Sequence, residues 1–307
     1  MTIIAKKSFI RGPIFAATLL STTAWAGTTS FSDTYSGNSV AGAAGVTACN
    51  QSFALDGQEP AAAGTFPVFV YMVGTTELSN NASAGAAVAG MANRGYVAAS
   101  VAYNTATFGD CSQIGGKAQC IFDPNSGASA ISKLCARAKA DCSKGVVVGG
   151  FSQGAVMATL AKNFDRRVRA AWGMGDGDNY IVAAGVGSDL SACMDNGNHT
   201  LKSNHLRIVN GQNDDFMERN PNTVRTEVQN VTGFNCGPNA FNCLQSNGSG
   251  WYIVQSNQVQ DGNADHCYMR AADCLGSANE LDAGWQNGGD VWELNANLDW
   301  LTTFTDR

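Results

Sequence analysis

Ser152 has the sequence surroundings of a catalytic nucleophile. It is the centre of residues 150–154 (Gly-Phe-Ser-Gln-Gly), which follow a valine run at 146–148 and precede a mostly small and apolar stretch at 155–162. On a sharp strand-to-helix turn a serine hydroxyl projects into open space, and glycines two positions before and after it relieve backbone crowding. The helix N-terminus also favours developing negative charge. The pattern therefore predicts a serine nucleophile, with a helix-capping serine in a glycine-rich turn as the alternative.

A serine nucleophile needs a base, and His266 is the best candidate in this chain. A serine hydroxyl attacks weakly at neutral pH until a neighbouring base takes its proton. Of the three histidines, His199 lies in a loop-like stretch and His205 opens a predicted strand, and both precede the best candidate acid. Where a triad is built on such a turn, its members follow the order serine, acid, histidine. His266, in a polar loop after the last predicted strand, fits this order, and we expect it to act as base and then as acid.

Asp214 is the leading candidate for the acid that orients the imidazole. It follows a predicted strand through a Gly-Gln-Asn turn, which would present its carboxylate towards His266. Adjacent Asp215 is one rival, and the loop that contains Asp176 and Asp178 is another. Solvated loop aspartates are the ordinary interpretation of the candidates that lose.

Two backbone N–H groups are expected to bind the oxyanion that forms when a serine attacks a carbonyl. One belongs to Gln153, which follows the nucleophile, and the other to Thr75, in the loop after an early strand. Trp172, Met174 and Tyr180 follow or end another strand and could line an acyl pocket, although a core position for Trp172 is an equal alternative.

Strand and helix patterns alternate along the chain and must position these residues. Short apolar runs predict strands at 66–73, 95–103, 145–150, 168–173, 205–210 and 251–255. Longer patterns predict helices at 82–91, 128–140, 155–162 and 292–304. Such alternation indicates an α/β fold with a mainly parallel, doubly wound sheet and an active site at the carboxyl ends of its strands. The Gly-, Asp-, Asn- and Ser-rich segments 104–127 and 176–203 are expected to be surface excursions.

Residues 1–26 have the features of a signal peptide. Lys6, Lys7 and Arg11 precede a short apolar run, and Ala-Trp-Ala at 24–26 offers a cleavage site. The remaining residues, 27–307, fit a single catalytic domain. The net charge of −6 becomes more negative when the basic leader is removed, which argues against nucleic acid as a partner. We expect an exported, secreted or periplasmic protein that is monomeric and not stably inserted in a membrane.

All ten cysteines follow the predicted leader, which indicates up to five disulfides in an exported chain. A metal site is the alternative, but no pair of cysteine and histidine residues has the spacing of a zinc site. Cys236 with Cys243 and Cys267 with Cys274 could each close a local loop. A Cys135–Cys142 bond is doubtful if residues 128–140 are helical, because seven helical steps separate two Cα atoms by about 10 Å.

Residues 150–155 (Gly-Phe-Ser-Gln-Gly-Ala) resemble the elbows of cutinases and small carboxylesterases, and the whole mature chain resembles the α/β-hydrolase superfamily. Export and disulfides also suit secreted esterases, lipases and polyester depolymerases. The resemblance implies a Ser152–Asp214–His266 triad, acyl-enzyme chemistry and no metal or other cofactor. The early loop departs from many relatives, because it has Val-Gly-Thr at 73–75 where they have His-Gly.

These observations predict a secreted serine hydrolase that acts on a carboxylic ester or polyester. A peptidase or amidase using the same triad is one alternative, since the sequence does not show how the leaving group is handled. A non-catalytic hydrolase fold that binds a polymer or carbohydrate is another, and it would predict a broken triad.

Overall fold

The computed structural model describes residues 27–40, 46–183, 186–274 and 279–307. The predicted signal peptide at 1–26 lies outside the described residues and stays a prediction. In chain order, the strands are β1 (Thr28–Val40), β2 (Val46–Pro60), β3 (Val68–Met72), β4 (Val97–Val101), β5 (Val146–Phe151), β6 (Val168–Met174), β7 (Asn179–Ala183), β8 (Val186–Asp189), β9 (Leu206–Gly211) and β10 (Gly250–Val254). The α-helices are α1 (Ala82–Asn93), α2 (Cys111–Phe122), α3 (Ala130–Cys135), α4 (Gln153–Leu160), α5 (Ser191–Met194), α6 (Pro221–Thr232), α7 (Ala283–Asn287) and α8 (Leu294–Thr302).

A mainly parallel sheet forms the centre of the described structure. Its strand order is β1-β2-β4-β3-β5-β6-β9-β10. The six strands from β4 to β10 in this order run parallel, and β1 and β2 add an antiparallel hairpin at one edge. Every residue of β3, β4 and β5 is buried, as expected for strands that are covered on both faces. The predicted α/β class and mainly parallel sheet are confirmed.

Helices cover both faces of this sheet. On one face α8 packs against both α1 and α7, and Gly90 of α1 leaves room for the side chain of Leu298. On the other face α4 packs against α2 and α5, and α6 covers β9 and β10. This arrangement is the doubly wound one that the alternating sequence pattern predicts.

The carboxyl ends of three parallel strands lead directly to the residues expected to do chemistry. Ser152 follows β5, Asp214 follows β9, and His266 lies in the segment after β10. Because parallel strands end at the same edge of the sheet, residues far apart in sequence meet there.

Two helices illustrate how the observed elements differ from the predicted ones. The helix predicted at 128–140 stops at Cys135 as α3, and Cys142 begins a 3₁₀ turn. The break brings the Cα atoms of Cys135 and Cys142 to 5.6 Å, so these residues form the disulfide that a continuous helix would have prevented. The helix after Ser152 begins at Gln153 and ends at Leu160, followed by a 3₁₀ turn at Ala161–Asn163.

The segments expected to be surface excursions contribute to the core instead. Residues 104–127 contain α2, which a capping box between Asp110 and Gln113 starts and which buries Ile114 and Phe122. Residues 176–203 contain the separate β7–β8 hairpin and the short helix α5. The sequence pattern also did not reveal the β1–β2 hairpin, because its Gly, Ser and Thr residues look like loop residues.

All ten cysteines are paired. The five disulfides are Cys49–Cys120, Cys111–Cys193, Cys135–Cys142, Cys236–Cys243 and Cys267–Cys274. Cys236–Cys243 and Cys267–Cys274 close local loops as expected, whereas the first two join distant parts of the chain. Among the described residues, no helix is both long enough and apolar enough to cross a bilayer.

Candidate active site

Ser152 occupies a strained turn between β5 and α4. Its backbone has φ 53° and ψ −122°, a left-handed φ that is uncommon for a residue with a side chain and that often marks a functional site. Its N–H donates to the carbonyl of Met174 at 2.8 Å, which ties the turn to β6. A Cβ atom on Gly150 would lie 2.2 Å from the carbonyl oxygen of Gly154, and one on Gly154 would lie 2.2 Å from that of Met72. Both glycines are therefore required by close packing around the serine.

His266 and Asp214 are in direct contact. The Nδ1 of His266 donates to Oδ2 of Asp214 at 2.7 Å, and the N–H of Phe216 donates to Oδ1 of the same carboxylate at 2.9 Å. The exposed fractions of the His266 and Asp214 side chains are only 2% and 0%. An aspartate bonded to Nδ1 fixes the tautomer in which Nε2 is free to accept a proton.

The other ring nitrogen of His266 is available for chemistry. Nε2 is buried and has no hydrogen-bond partner among the described residues. The rings of Phe151 and Phe216 lie 4.8 Å and 4.6 Å from the imidazole, centroid to centroid, and hold it from two sides. His266 and Ser152 line the same cavity, so the unpaired Nε2 and the serine hydroxyl belong to one site.

The other three candidate acids form ion pairs or hydrogen bonds with other residues. Asp215 forms an ion pair with Arg219 on the surface. Asp176 is buried and accepts hydrogen bonds from the Thr159 hydroxyl at 2.8 Å and from its neighbouring backbone N–H, and no hydrogen bond joins it to a histidine among the described residues. Burial raises the pKa of Asp176 to about 7, against the lowering effect of the Thr159 hydrogen bond. Asp178 accepts from the amide of Asn230 at 2.8 Å.

The remaining histidines have structural contacts outside the cavity. Nε2 of His199 lies 3.2 Å from the carbonyl oxygen of Val231, and Nδ1 of His205 lies 2.6 Å from that of Arg169. Burial lowers the pKa of His199, which favours its neutral form.

Two backbone N–H groups close to Ser152 have no hydrogen-bond acceptor in the described part of the chain. Gln153 is the first residue of α4, so its N–H has no acceptor within the helix. The N–H of Thr75 also has no hydrogen-bond acceptor among the described residues. The loop of Thr75 lies against the serine, because a Cβ on Gly74 would come within 3.2 Å of the Ser152 Cβ. The structure thus brings together the two donors that the sequence indicated.

The cavity beside Ser152 has a volume of about 300 Å³ and a largely aromatic wall. Its lining residues are Thr75, Thr76, Glu77, Phe108, Phe151, Ser152, Tyr180, Phe216, His266, Cys267, Arg270 and Cys274. Three phenylalanines and Tyr180 form its apolar surface, and the Phe108 and Tyr180 ring centroids lie 4.8 Å apart with the rings tilted by 54°. Ligand pockets start at about this size, so the space suits a small apolar group.

Of the three residues that were expected to line an acyl pocket, the structure places one beside this cavity. Tyr180 lines the cavity and anchors itself through its hydroxyl, which donates to the Gly175 carbonyl at 2.9 Å. Trp172 and Met174 do not line it, because both are completely buried in the core. The Trp172 ring packs over Gly149 in the neighbouring strand, which is the core position that the sequence left as an equal alternative.

The sequence interpretation missed the charged wall of the cavity. Arg270 and Glu77 form an ion pair there, with side chains only 6% and 11% exposed. Glu77 also accepts from the N–H of Gly74 at 2.7 Å. The two residues are separated by 193 positions, so no local pattern could have found them. Among the described residues, no group of three or more His, Cys, Asp or Glu side chains is placed to hold a metal ion.

Known proteins resemble this chain in structure but not detectably in sequence. No family model and no curated protein matches it. A brefeldin A esterase, described as a bacterial homologue of human hormone-sensitive lipase, is 16% identical over 51% of this chain and 42% of its own, with a TM-score of 0.36. A hypothetical protein from Pseudomonas aeruginosa is 16% identical over 56% of this chain and 47% of its own, with a TM-score of 0.36. This chain thus matches less than half the length of each of these two solved structures.

A third solved structure is similar over most of both chains. It is described as a putative dienelactone hydrolase from Klebsiella pneumoniae, and it is 15% identical over 90% of this chain and 100% of its own, with a TM-score of 0.47. The sheet order and the strained serine turn between β5 and α4 are features of this chain itself. With helices on both faces of that sheet, the chain has the α/β-hydrolase fold.

Proposed function

We propose that this protein is a serine ester hydrolase that acts through Ser152, Asp214 and His266 and forms an acyl-enzyme intermediate. One observation carries the proposal. His266 is bonded to Asp214 at 2.7 Å through Nδ1, while its unpaired Nε2 belongs to the cavity that Ser152 also lines. That combination supplies a nucleophile, a base and the group that orients the base.

In the first half of the reaction, Ser152 attacks the ester carbonyl. Its Oγ forms a bond to the carbonyl carbon while Nε2 of His266 takes the hydroxyl proton. The carbonyl π electrons move to oxygen, and the N–H groups of Thr75 and Gln153 bind the resulting oxyanion. When the tetrahedral intermediate collapses, the bond to the leaving oxygen breaks and His266 gives that oxygen its proton. An alcohol departs and the acyl group stays on Ser152.

In the second half, water replaces the alcohol. His266 takes a proton from water as its oxygen attacks the acyl carbon, and then returns a proton to Oγ of Ser152 as the ester bond to the enzyme breaks. The carboxylic acid product leaves and the free serine is restored. Asp214 keeps its hydrogen bond to Nδ1 and stabilises the imidazolium in both halves.

The shape of the cavity favours esters with a small, uncharged acyl group. Its volume of about 300 Å³ and its phenylalanine wall suit a short or compact apolar group. The charged pair in the wall is internally neutralised, because Arg270 already binds Glu77. Among esters, short-chain substrates should therefore be hydrolysed better than long-chain triglycerides, and polyesters only where a chain end reaches Ser152.

Export and a monomeric state are part of this proposal. Five disulfides are typical of proteins that fold in an oxidising compartment, and the leader at 1–26 supplies a route there. Expression with the native leader, followed by assay of the culture medium, the periplasm and the cytoplasm, tests the location. Size-exclusion chromatography tests the monomer.

The central test is the turnover of short p-nitrophenyl esters by the wild type and Ser152→Ala. We expect the substitution to abolish turnover and labelling by a fluorophosphonate without lowering the melting temperature. Ser143→Ala is the matched control, because Ser143 is exposed just before β5, at the opposite end of that strand from Ser152. Full activity of Ser152→Ala would contradict the triad. Turnover of peptides in preference to esters would favour the amidase alternative instead.

A further inference from the structure

Lys117 is a buried cation on the inner face of α2. Its exposed fraction is 1%, and its Nζ donates to the Thr107 carbonyl at 2.5 Å, the Phe108 carbonyl at 3.4 Å and Oε1 of Gln153 at 3.0 Å. An ammonium group has three donors, so these three acceptors satisfy it completely. None of the three carries a formal charge.

No carboxylate compensates for this charge among the described residues. Burial without a counter-ion is costly for a charged group and lowers the pKa of Lys117 to about 8. The ammonium form therefore still predominates at neutral pH. A chain that only needed to fill this space could do so with an apolar side chain at less cost. The buried charge of Lys117 therefore requires a functional explanation.

Gln153 connects Lys117 to the candidate oxyanion site. Because Lys117 can only donate, the Gln153 amide must turn its oxygen towards Nζ and its nitrogen the other way. That nitrogen donates to the Thr107 carbonyl at 2.7 Å, the Phe108 carbonyl at 3.2 Å and Oγ1 of Thr75 at 3.2 Å. The side chain of Gln153 thus links Lys117 to Thr75, and the N–H groups of Gln153 and Thr75 are the two expected oxyanion donors.

We propose that Lys117 is a positioning residue for the oxyanion hole, which fixes Gln153 and Thr75 and places a buried positive charge behind them. The inference rests on the proposed ester hydrolysis. Negative charge develops on the carbonyl oxygen only as Ser152 attacks, so an ammonium group held behind the donors stabilises the transition state more than the bound substrate. Its loss should therefore lower kcat more than it raises KM.

A purely structural role makes different predictions. Lys117 and Gln153 both bind the carbonyl of Phe108, whose ring lines the cavity. If Lys117 only anchored that loop, its replacement would alter substrate affinity and stability, and the pH dependence of kcat would stay unchanged.

The charge of Lys117 gives the proposed role a distinct pH signature. The titratable side chain that faces it is Tyr103, whose ring centroid lies 5.9 Å from Nζ. Burial holds the pKa of Tyr103 well above its ordinary value, so Tyr103 remains neutral in the working range. The other neighbours of Nζ are two backbone carbonyls and an amide. We expect kcat to fall as pH rises through about 8, where the ammonium group loses its proton.

The test compares Lys117→Met and Lys117→Arg with the wild type in kcat, KM and fluorophosphonate labelling rate from pH 6 to 10. We expect Lys117→Met to lower kcat by about 10- to 100-fold, less than or similar to the loss of one oxyanion donor, with a KM change below about 2-fold. The labelling rate should fall similarly, because phosphonylation also develops charge on oxygen. Lys117→Arg should recover most of the activity and remove the alkaline decline, since a guanidinium stays charged there.

Lys162→Met is the matched control. Nζ of Lys162 also donates only to backbone carbonyls, those of Val168 and Arg166, and burial also lowers its pKa, but it is remote from the cavity. It should leave kcat and its pH profile unchanged. Melting temperature and circular dichroism identify any variant that fails to fold. If Lys117→Arg fails, the alkaline decline of the wild type and its absence in Lys117→Met still decide the question.

Failure of this inference can be distinguished from failure of the proposed function. A wild type that neither hydrolyses esters nor reacts with the fluorophosphonate would overturn both. An active wild type with an inactive Ser152→Ala, together with wild-type kcat in Lys117→Met or an unchanged alkaline decline in Lys117→Arg, would overturn the role of Lys117 alone.

Discussion

Glu77 and Arg270 form a buried ion pair that joins the loop after β3 to the segment that carries His266. One carboxylate oxygen of Glu77 binds the guanidinium, and the other accepts the N–H of Gly74 at 2.7 Å. The pair therefore connects the residue before Thr75 to a residue four positions after the candidate base. In the cavity wall, this ion pair therefore connects the loop that carries Thr75 to the segment that carries His266.

The contributions of Glu77 and Arg270 to the free energy of unfolding should be strongly coupled. Removing one member leaves the other charge buried without a partner, which typically costs about 3–5 kcal/mol, whereas replacing both costs less than the sum. A double-mutant cycle of Glu77→Gln and Arg270→Met, measured by chemical denaturation, should give a coupling free energy of about 2 kcal/mol.

The Arg94–Asp299 pair supplies the control, because the side chain of Asp299 is 69% exposed and such pairs couple by at most about 1 kcal/mol. Equal coupling in the two cycles would show that burial of Glu77 and Arg270 does not matter.

Asp214→Asn should reduce activity far more than Asp215→Asn. An amide at position 214 can donate to Nδ1 of His266 and so stabilise the wrong tautomer, an effect that reduces kcat by about 10⁴-fold in a serine protease. Asp215 instead binds Arg219 at the surface, so its replacement should change kcat by less than about 2-fold. Steady-state kinetics on one short ester tests both variants. A larger loss with Asp215→Asn would reverse the assignment of the acid.

The sequence predicts the centre of this fold better than its periphery, for a physical reason. Local sterics and burial dictate the valines of β5 and the glycines around Ser152, and both leave a readable pattern. The order of acid and histidine follows from the order of the strands along the chain. Helix α2 was missed because Gly115 and Gly116 weaken its helical pattern, although the Asp110–Gln113 capping box was a usable signal.

Contacts between residues far apart in sequence leave no such pattern. The bond from Lys117 to Gln153, like the bond from Arg270 to Glu77, depends on how distant elements pack, and a single lysine or arginine carries no sign of it. The aromatic wall was readable only in part, since Phe151 and Phe216 are neighbours in sequence of Ser152 and Asp214.

The Cys267–Cys274 disulfide should matter more for activity than the Cys236–Cys243 disulfide. Both close loops with the same sequence separation of 7, so chain entropy predicts similar stabilisation, on the order of 2–3 kcal/mol. Only the Cys267–Cys274 bond lines the cavity, and Cys267 is the residue after His266.

The double alanine variant of each disulfide separates the two effects. The melting temperature should fall by a similar amount in both variants. Only in Cys267→Ala/Cys274→Ala should kcat fall, by about 10-fold or more, because the imidazole is then less well oriented. Equal kcat values in the two variants would mean that the disulfide does not orient His266.

Glu227 should make the protein less stable as pH rises. Burial, reinforced by the neighbouring Asp178 carboxylate, raises the pKa of Glu227 from 4.5 to about 9. Asp178 lies just before β7, whose Tyr180 lines the cavity, and it accepts from the amide of Asn230 in α6 at 2.8 Å. Between pH 4.5 and 9 the folded state keeps a proton on Glu227 that the unfolded chain has lost. The free energy of unfolding therefore falls across this window as pH increases.

Glu227→Gln removes this proton uptake while nearly keeping the size and shape of the side chain. Its melting temperature relative to the wild type should rise steadily from pH 5 to pH 8.5, since the glutamine stays neutral throughout. Glu218→Gln is the control, because Glu218 is exposed and binds the hydroxyl of Thr223. Scanning calorimetry at several pH values measures the differences. A difference between Glu227→Gln and the wild type that did not change with pH would show that Glu227 is ionised in the folded protein.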